Sequence, residues 1–254
     1  MNIAGWKDYS LVDVLGYPSF TVWFSFCNFK CPWCQNWPVV SGVENKEVSV
    51  GELIEIIEES AILVDFLHVT GGEPTLQSSA LKALYACVRE KDILKNSLNT
   101  NGSHPEVIRE LATKGLLDHI AIDVKAPLYN PSLYARVIGF EVAGDVPDKV
   151  RESIIISLEK IDFVELRTTF VPSLLSIDDL VQIAQELKDL GCGDYCYYVI
   201  QQFNPSDTIR DATYRQAKRV LERDLITIAK KVKKQSTLKN VYIRTLEGGT
   251  KVIE

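Results

Sequence analysis

The chain has three closely spaced cysteines, Cys27, Cys31 and Cys34, directly after the apolar run TVWFSF. Six cysteines among 254 residues favour metal or redox chemistry over a disulfide framework. Structural zinc takes four protein ligands, and no histidine or further cysteine forms an obvious second half-site. Three thiolates suit a [4Fe–4S] cluster instead, with one iron left open for a substrate or cofactor.

The sequence CNFKCPWC, residues 27–34, resembles the CxxxCxΦC signature of the radical S-adenosylmethionine (SAM) superfamily, with Trp33 as its aromatic residue. The resemblance implies that the three cysteines bind a [4Fe–4S] cluster and that its open iron binds SAM. It also implies electron transfer from the reduced cluster to the sulfonium, which gives methionine and a 5′-deoxyadenosyl radical. This radical removes a hydrogen atom from the substrate.

A second motif, Gly71-Gly72-Glu73-Pro74, follows the apolar run FLHVT. It resembles the GGEP element of the superfamily, whose backbone and glutamate engage the amino group of the methionine moiety. Glycines let a backbone approach a ligand closely, because they carry no Cβ. Without its context, GGEP is also typical of an ordinary turn.

A third motif is formed by Asp123 and Lys125 in HIAIDVKA. It resembles the DxK element of glycyl-radical-enzyme activating enzymes, whose side chains help to hold the methionine end of SAM. Side chains alternate along a strand, so we expect both residues on the same face. A simple ion pair at the mouth of a barrel is the alternative for this pair.

Two further resemblances concern strand ends. Arg167 in VELRTTF resembles an arginine on the fifth strand that approaches the ribose or carboxylate of SAM, although arginines at strand ends are as often surface or interface residues. Asn99 and Asn101 lie in NTNG, which resembles a TNG-containing strand end. Pyruvate formate-lyase activating enzyme has an aspartate in place of Asn99, where it helps to bind a monovalent cation, and a histidine near the position of Phe203.

The elements that position these motifs follow from the alternation of β-rich runs with helix-period segments, which predicts parallel strands joined by right-handed crossovers. The predicted strands cover residues 21–26, 66–70, 96–100, 119–126, 162–171, 194–203 and 240–244. A capping box formed by Ser49 and Glu52 predicts a helix start, and apolar spacing predicts a helix over residues 177–190. Residues 213–233 give the longest helical pattern, charged on one face.

The least regular segment covers residues 128–148, where Pro131 is expected to start a short helix and residues 139–144 to form a loop over the strand ends. Cys192 and Cys196 lack a companion ligand, so we interpret them as buried or incidental thiols. Cys87 lies in a helical pattern and is interpreted as core. His68 lies between apolar residues and is interpreted as a structural histidine.

Six strand–helix units and a seventh strand resemble the partial (β/α)6 TIM-type barrel of the radical SAM superfamily, with a C-terminal extension. We expect one radical SAM domain over residues 1–254, with its core at about 20–205 and a C-terminal helix and strand in residues 206–254. All the motifs above follow predicted strands, as functional loops do in parallel barrels. Residues 35–70 are too few to insert further clusters, so we expect one cluster.

Composition restricts the partners. The formal net charge is −6, and the basic residues are scattered, which disfavours nucleic acid as a partner. The first residues lack a signal-peptide pattern and no run reaches the roughly 18 apolar residues of a membrane span. We therefore expect a cytoplasmic protein without a membrane partner.

The motifs together most resemble anaerobic ribonucleotide reductase activating proteins, which are related to pyruvate formate-lyase activating enzyme. This implies a glycyl radical enzyme as protein substrate and a low-potential electron donor such as flavodoxin or ferredoxin. Two alternatives remain open. One is a radical SAM enzyme that modifies a small molecule or nucleobase, as in deazapurine or modified-tRNA pathways, and the other is a non-catalytic zinc-binding module.

Overall fold

A computed structural model describes residues 1–254 and contains one sheet of ten strands. The strands are β1 (Asn2–Val14), β2 (Tyr17–Phe24), β3 (Lys46–Glu47), β4 (Phe66–Gly71), β5 (Lys95–Thr100), β6 (His119–Asp123), β7 (Phe163–Phe170), β8 (Cys196–Gln202), β9 (Val241–Thr245) and β10 (Gly249–Val252). The helices are α1 (Trp37–Val40), α2 (Val50–Ser60), α3 (Ser78–Glu90), α4 (Pro105–Thr113), α5 (Pro131–Ile138), α6 (Val146–Lys160), α7 (Ile177–Asp189), α8 (Ala212–Arg215) and α9 (Glu222–Ser236). Ala61–Leu63 and Pro74–Gln77 form 3-10 turns.

The strand order is β10-β9-β8-β7-β6-β5-β4-β2-β1-β3. All neighbouring pairs from β2 through β4 to β9 are parallel, whereas β1, β3 and β10 add antiparallel edges. The sheet does not close, because β3 and β10 remain separate ends. This confirms the expected partial TIM-type barrel of α/β class, with the carboxyl ends of seven strands at one rim.

The seven predicted strands are present, and their ends differ by a few residues. The strand expected over residues 119–126 ends at Asp123, although the N–H of Val124 still donates to the carbonyl of Arg167 at 2.7 Å. Strands β1, β3 and β10 were not predicted. Long β1 was missed because its exposed charges hide the alternation, and it forms a hairpin with β2 through Gly16.

The capping box at Ser49 is confirmed, since its hydroxyl accepts from the Glu52 N–H at 3.2 Å and Glu52 accepts in return at 2.7 Å. The expected helix over residues 177–190 is α7. The continuous helix expected over residues 213–233 is wrong, because the chain forms α8 and α9 with a break between them. The Gln202 side chain donates to the Val220 carbonyl at 2.7 Å, which holds this backbone at the end of β8. No helix combines the length and the apolar character needed to span a bilayer.

A chain of polar side chains crosses the interior of the open barrel. His68 Nδ1 and His119 Nδ1 each lie 2.7 Å from Ser97 Oγ, and His119 Nε2 lies 3.2 Å from a carboxylate oxygen of Glu165. Burial lowers the pKa of His68 to about 3. Burial opposes the charged form of Glu165, but Arg167 holds the pKa of this carboxyl well below its usual range. His68 is therefore a buried structural residue, as interpreted from the sequence.

Cys192 and Cys196 are buried, as expected, but they are joined in a disulfide, which corrects their interpretation as thiols. Their Cα atoms lie 5.2 Å apart, and this spacing permits the bond. The pair lies before and at the start of β8, at the opposite end of the strand from the motifs. Cys87 lies in α3 and packs against the core.

Candidate active site

A cavity of about 370 Å³ lies at the carboxyl ends of the parallel strands. Ten of the twelve residues predicted to bind the cluster or SAM line it: Cys27, Cys31, Trp33, Cys34, Gly71, Gly72, Asn99, Asn101, Asp123 and Lys125. The other two, Glu73 and Arg167, do not line the cavity. The fold thus collects loops from four separate strands around one space, as parallel barrels do.

The cysteine loop is held in place by α5, the short helix that Pro131 begins. The N–H of Lys30 donates to the carbonyl of Ile138 at 3.0 Å, and Trp33 Nε1 donates to the carbonyl of Val137 at 3.0 Å. A Cβ at Gly139, which has φ +81°, would lie 2.1 Å from the Lys30 carbonyl oxygen. The irregular segment therefore shapes the loop that carries the thiols.

The Cys31 thiol is buried, and those of Cys27 and Cys34 are half-buried at the cavity. Burial raises the pKa of Cys27 and Cys31 to about 12, and burial also raises the pKa of Cys34. Thiolates at these positions need compensating positive charge, which iron bound to sulfur supplies. The N–H of Phe29 also points at Cys27 Sγ at 3.4 Å, the kind of contact that tunes cluster potentials.

The donor set fits a cluster better than a single ion. No group of three or more His, Cys, Asp or Glu side chains is close enough to share one metal ion. A four-iron cluster places each thiolate on a different iron, so its three cysteines need not converge on one point. The arrangement therefore does not favour the zinc-module alternative.

The two glycines of GGEP are required by the neighbouring backbone. A Cβ on Gly71 would lie 2.2 Å from the carbonyl oxygen of Phe24, and one on Gly72 would lie 1.9 Å from that of Phe26. The Gly72 N–H donates to Phe24 and the Glu73 N–H donates to Phe26, each at 2.8 Å. The GGEP turn thus packs directly on the start of the cysteine loop, while both glycines still face the cavity.

Glu73 points away from the cavity and is fully buried. Its carboxylate accepts hydrogen bonds from the Thr75 N–H and hydroxyl at 3.1 and 2.5 Å, from the Thr100 hydroxyl at 2.7 Å and from the Asn101 N–H at 2.7 Å. These four bonds use the acceptor capacity of a carboxylate. Glu73 is therefore placed to join the ends of β4 and β5.

Asn101 contacts the cysteine loop directly. Its side-chain amide donates to Asn28 Oδ1 at 2.9 Å and lies 3.9 Å from Cys27 Sγ, while its carbonyl accepts from the Ser103 N–H at 3.0 Å. The Asn28 amide in turn donates to the Ser103 hydroxyl at 2.9 Å. The NTNG strand end therefore contacts Cys27, the first of the three cysteines, and the neighbouring Asn28.

Arg167 is buried and reaches the cavity only through Asn99. Its guanidinium donates to Asn99 Oδ1 at 3.2 Å and to Glu165 at 2.9 Å, and it contacts the Asp13 carbonyl at 2.5 Å. Asn99 also donates to the Thr70 hydroxyl at 3.1 Å. Arg167 thus links β7 to β1 and orients a cavity-lining amide, and it lies below the cavity wall.

Asp123 and Lys125 face the cavity together, as strand alternation predicts. Lys125 Nζ lies 3.1 Å from Asp123 Oδ2 and 5.3 Å from the ring centroid of Trp33. Burial opposes the charged form of Lys125, but Asp123 and the cysteine sulfur of Cys31 raise its pKa above the ordinary value. The pair places one cation and one carboxylate beside the thiols, where they can bind the ammonium and carboxylate of an amino acid.

Part of the cavity wall was not predicted. Its main members are five polar residues at the ends of β7, β8 and β9, together with one apolar residue of β1 and one that follows β9: Thr169, Gln201, Gln202, Arg244, Thr245, Val12 and Leu246. The rule that carboxyl ends of strands meet at one rim could have indicated the residues of β8 and β9. No sequence signal indicates Val12, because β1 was not predicted.

Comparison with known proteins gives a consistent result. Residues 21–141 match the family model described as the radical SAM superfamily. A protein of Methanocaldococcus jannaschii, "Putative glycyl-radical enzyme activating enzyme MJ1227", is 34% identical over 249 residues, which is 97% of each chain. A 7-carboxy-7-deazaguanine synthase of Thermococcus kodakarensis is 31% identical over 132 residues, covering 44% of this chain and 51% of its own.

Solved structures share the fold. A radical SAM methyltransferase from Sphaerobacter thermophilus superimposes with a TM-score of 0.63 at 15% identity, covering 89% of this chain and 66% of its own. Similarity at this identity concerns the fold alone. With the relative matched over almost its whole length, the family is nevertheless clear. The chain belongs to the radical SAM superfamily and is a radical SAM enzyme, a class that uses a [4Fe–4S] cluster and SAM.

Proposed function

We propose that the protein is a glycyl-radical-enzyme activating enzyme, whose substrate is a glycine in a partner protein. The relative of M. jannaschii that matches 97% of the chain carries this description. In addition, the ten-stranded sheet continues from β3 to β10 without interruption, and on this basis we propose that residues 1–254 form one domain.

We assign the residues as follows. Cys27, Cys31 and Cys34 hold the cluster, and the carboxylate–ammonium pair of Asp123 and Lys125 binds the methionine end of SAM. When bound, the cluster and SAM together supply a hydrogen-abstracting 5′-deoxyadenosyl radical. The remaining SAM contacts come from cavity-lining groups: Trp33, Gly71, Gly72, Asn99 and Asn101. Glu73 and Arg167 position these groups and do not touch SAM.

The observation that carries the proposal is the charge balance of the cavity. Its two cationic residues, Lys125 and Arg244, are each paired with a carboxylate, Lys125 with Asp123 at 3.1 Å and Arg244 with Glu165 at 3.3 Å. Neither cavity-lining cation is without a carboxylate contact, although Arg244 shares Glu165 with Arg167, and this disfavours a phosphate-bearing substrate. The cavity wall also carries the neutral side chains of Thr169 and Gln201, which can both donate to and accept from peptide groups.

The alternative, modification of a small molecule or nucleobase, is favoured by the match to the deazaguanine synthase. That match covers 44% of this chain. The activating-enzyme relative of M. jannaschii, in comparison, matches 97% of it. The sheet does not close, and we propose that a loop of the partner protein reaches the cavity through the gap between its edges.

The test is anaerobic reconstitution with iron and sulfide, reduction by dithionite, and measurement of 5′-deoxyadenosine with and without a candidate glycyl radical protein. We expect a glycyl EPR signal on the partner, absent when the partner's radical glycine is changed to alanine. Deoxyadenosine produced only in the presence of a small metabolite or RNA would contradict the proposal. A Cys31→Ala chain serves as the control without a cluster.

A further inference from the structure

We propose that the side-chain amide of Asn101 donates a hydrogen bond to the Cys27 sulfur and thereby makes a cluster bound there easier to reduce. This role is separate from the contact with SAM proposed for Asn101, because it acts on the cluster whether or not SAM is present. It depends on the chain being a radical SAM enzyme. It does not depend on which molecule the radical attacks.

Three hydrogen bonds fix the position of Asn101, which is buried. Its backbone N–H donates to the Glu73 carboxylate at 2.7 Å. Its side-chain carbonyl accepts from the Ser103 N–H at 3.0 Å, and its side-chain NH2 group donates to Asn28 Oδ1 at 2.9 Å. The Asn28 amide closes the ring by donating to the Ser103 hydroxyl at 2.9 Å. The Asn101 side chain is therefore held in one orientation by the protein itself.

The backbone of Ser103 determines which atom of the Asn101 amide faces the cysteine loop. A backbone N–H can only donate, so the atom beside it must be the carbonyl oxygen, and the NH2 group lies on the side of Asn28 and Cys27. An amide nitrogen carries two N–H donors. One is used by Asn28 Oδ1, and the Cys27 sulfur lies 3.9 Å from the same nitrogen, where it can accept the other.

Loss of the thiol proton makes Cys27 a better acceptor. As a thiol, Cys27 can donate to Asn28 Oδ1, which also lies 3.9 Å away. A sulfur bound to iron carries no proton and is negatively charged, so it only accepts. Hydrogen bonds to a charged acceptor are shorter and stronger than those to a neutral one. The Asn101 amide and the Phe29 N–H, at 3.4 Å, are two donors directed at this sulfur.

Such a bond favours the reduced state of a cluster. One electron added to the oxidised cluster makes it more negative by one unit, with no proton transferred, and cysteine sulfurs bear part of the added charge. A donor directed at one of these sulfurs therefore stabilises the reduced state more than the oxidised state. Hydrogen bonds to the sulfurs are among the features that set cluster potentials. Asn101 should thus raise the reduction potential.

One substitution can remove the effect, because the Asn101 amide is the side-chain donor that the structure directs at a cysteine sulfur of the loop. Asn101→Leu removes both N–H donors at similar volume, and Asn101→Asp replaces the amide by a carboxylate. Thr100→Val is the matched control. The Thr100 hydroxyl donates to Glu73 at 2.7 Å, so this change disturbs the same turn without removing a donor to sulfur.

The experiment uses anaerobically reconstituted chains at equal iron content, without SAM and without any target protein. The EPR signal of the reduced cluster, recorded at a series of poised potentials, gives the midpoint potential. A second measurement needs no variant: pulsed EPR of the reduced wild-type cluster, with asparagine side chains labelled with nitrogen-15, should show coupling to the labelled amide. Absence of this coupling would overturn the inference even if the variants failed to hold iron.

We expect the equilibrium constant for one-electron reduction to fall about threefold to tenfold in Asn101→Leu, and a tenfold fall corresponds to about 59 mV. Asn101→Asp should show a larger fall, since its negative charge opposes the added electron. Thr100→Val should keep the wild-type potential. An unchanged potential in both Asn101 variants would overturn the inference. An equal shift in Thr100→Val would do so too, because the turn would then act through structure alone.

Two further results separate this inference from the other roles given to the site. Weaker SAM binding by Asn101→Leu at an unchanged potential would show that Asn101 serves SAM alone, and the inference would be wrong. If the potential shifts as expected but no glycyl radical protein is activated, the proposed function is wrong and the role of Asn101 stands.

Discussion

The carboxylate of Glu73 accepts a hydrogen bond from the backbone N–H of Asn101 at 2.7 Å. Through this contact the GGEP turn after β4 fixes the NTNG turn after β5, and the Asn101 amide in turn lies 3.9 Å from Cys27 Sγ. Glu73 thus positions the cysteine loop through Asn101, although its own side chain does not face the cavity. This relationship leads to the first prediction.

Glu73→Gln should lower the free energy of unfolding by about 1–3 kcal/mol, because one buried N–H or hydroxyl donor then faces an amide that cannot accept. Urea denaturation of the apoprotein measures this. Glu59→Gln is the matched control, since Glu59 is exposed on α2 and should change stability by less than about 0.5 kcal/mol. Equal stability of the Glu73 variant and the wild type would contradict the bonding described.

Gly72→Ala should weaken the cysteine loop. The added Cβ would lie 1.9 Å from the Phe26 carbonyl oxygen, and backbone on both sides must shift to relieve this contact. We expect a loss of about 1–3 kcal/mol in stability and less iron per chain after reconstitution. Gly51→Ala is the control, because its Cβ meets nothing within 4 Å and the site is helical, so it should gain about 0.5–1 kcal/mol. Full iron incorporation by the Gly72 variant would argue against the close packing.

Lys125→Ala should keep the iron but bind SAM about tenfold or more weakly, a loss of about 1.4 kcal/mol or more, because Asp123 is left as an unpaired carboxylate beside the ligand. Cys31→Ala, in comparison, should lose both iron and SAM cleavage. Iron and sulfide assays with equilibrium binding of SAM separate the two variants. Loss of iron from the Lys125 variant, or retained iron in the Cys31 variant, would show that the roles are assigned wrongly.

Acidification should destabilise the apoprotein from about pH 6.5 downward. The folded-state pKa of His68 is lowered by burial from 6.5 to about 3, so in this window the unfolded chain binds a proton that the folded chain does not. The free energy of unfolding should fall by about 1.4 kcal/mol per pH unit for this residue. The fall begins below pH 6.5 and stops near the folded-state pKa.

Several charged groups surround the His68 ring, so the pH dependence of stability does not come from His68 alone. Asp13, His119, Arg167 and Glu165 all interact with the ring. Burial also lowers the pKa of His119, and the pKa of Glu165 is depressed too, so both add stability that acid removes. Urea titrations should show a shallower pH slope for His68→Gln than for the wild type. An unchanged slope in the His68 variant would show that His68 does not contribute to the pH dependence of stability.

Much of the site could be predicted from local sequence. The Cys-x3-Cys-x2-Cys spacing, the two glycines and the Asp123–Lys125 pair all occur where strand–turn–helix patterning places functional loops, and all of them line the cavity. The direction of Glu73 could not be predicted, because its partners belong to another turn 27 or more residues away, except for Thr75. Strand β1 could not be predicted either, because its exposed charged residues interrupt the alternation of apolar and polar residues that is typical of a half-buried strand.

By itself, the sequence determined the ligand types, their spacing and the order of the seven parallel strands, because each depends on patterns within a few residues. Only the tertiary structure decided which side chains face the cavity. Arg167 is turned toward Glu165 and the Asp13 carbonyl by long-range pairing, and α5 is seated on the cysteine loop through Ile138 and Lys30. Such contacts form between segments up to 154 residues apart, so no local pattern specifies them.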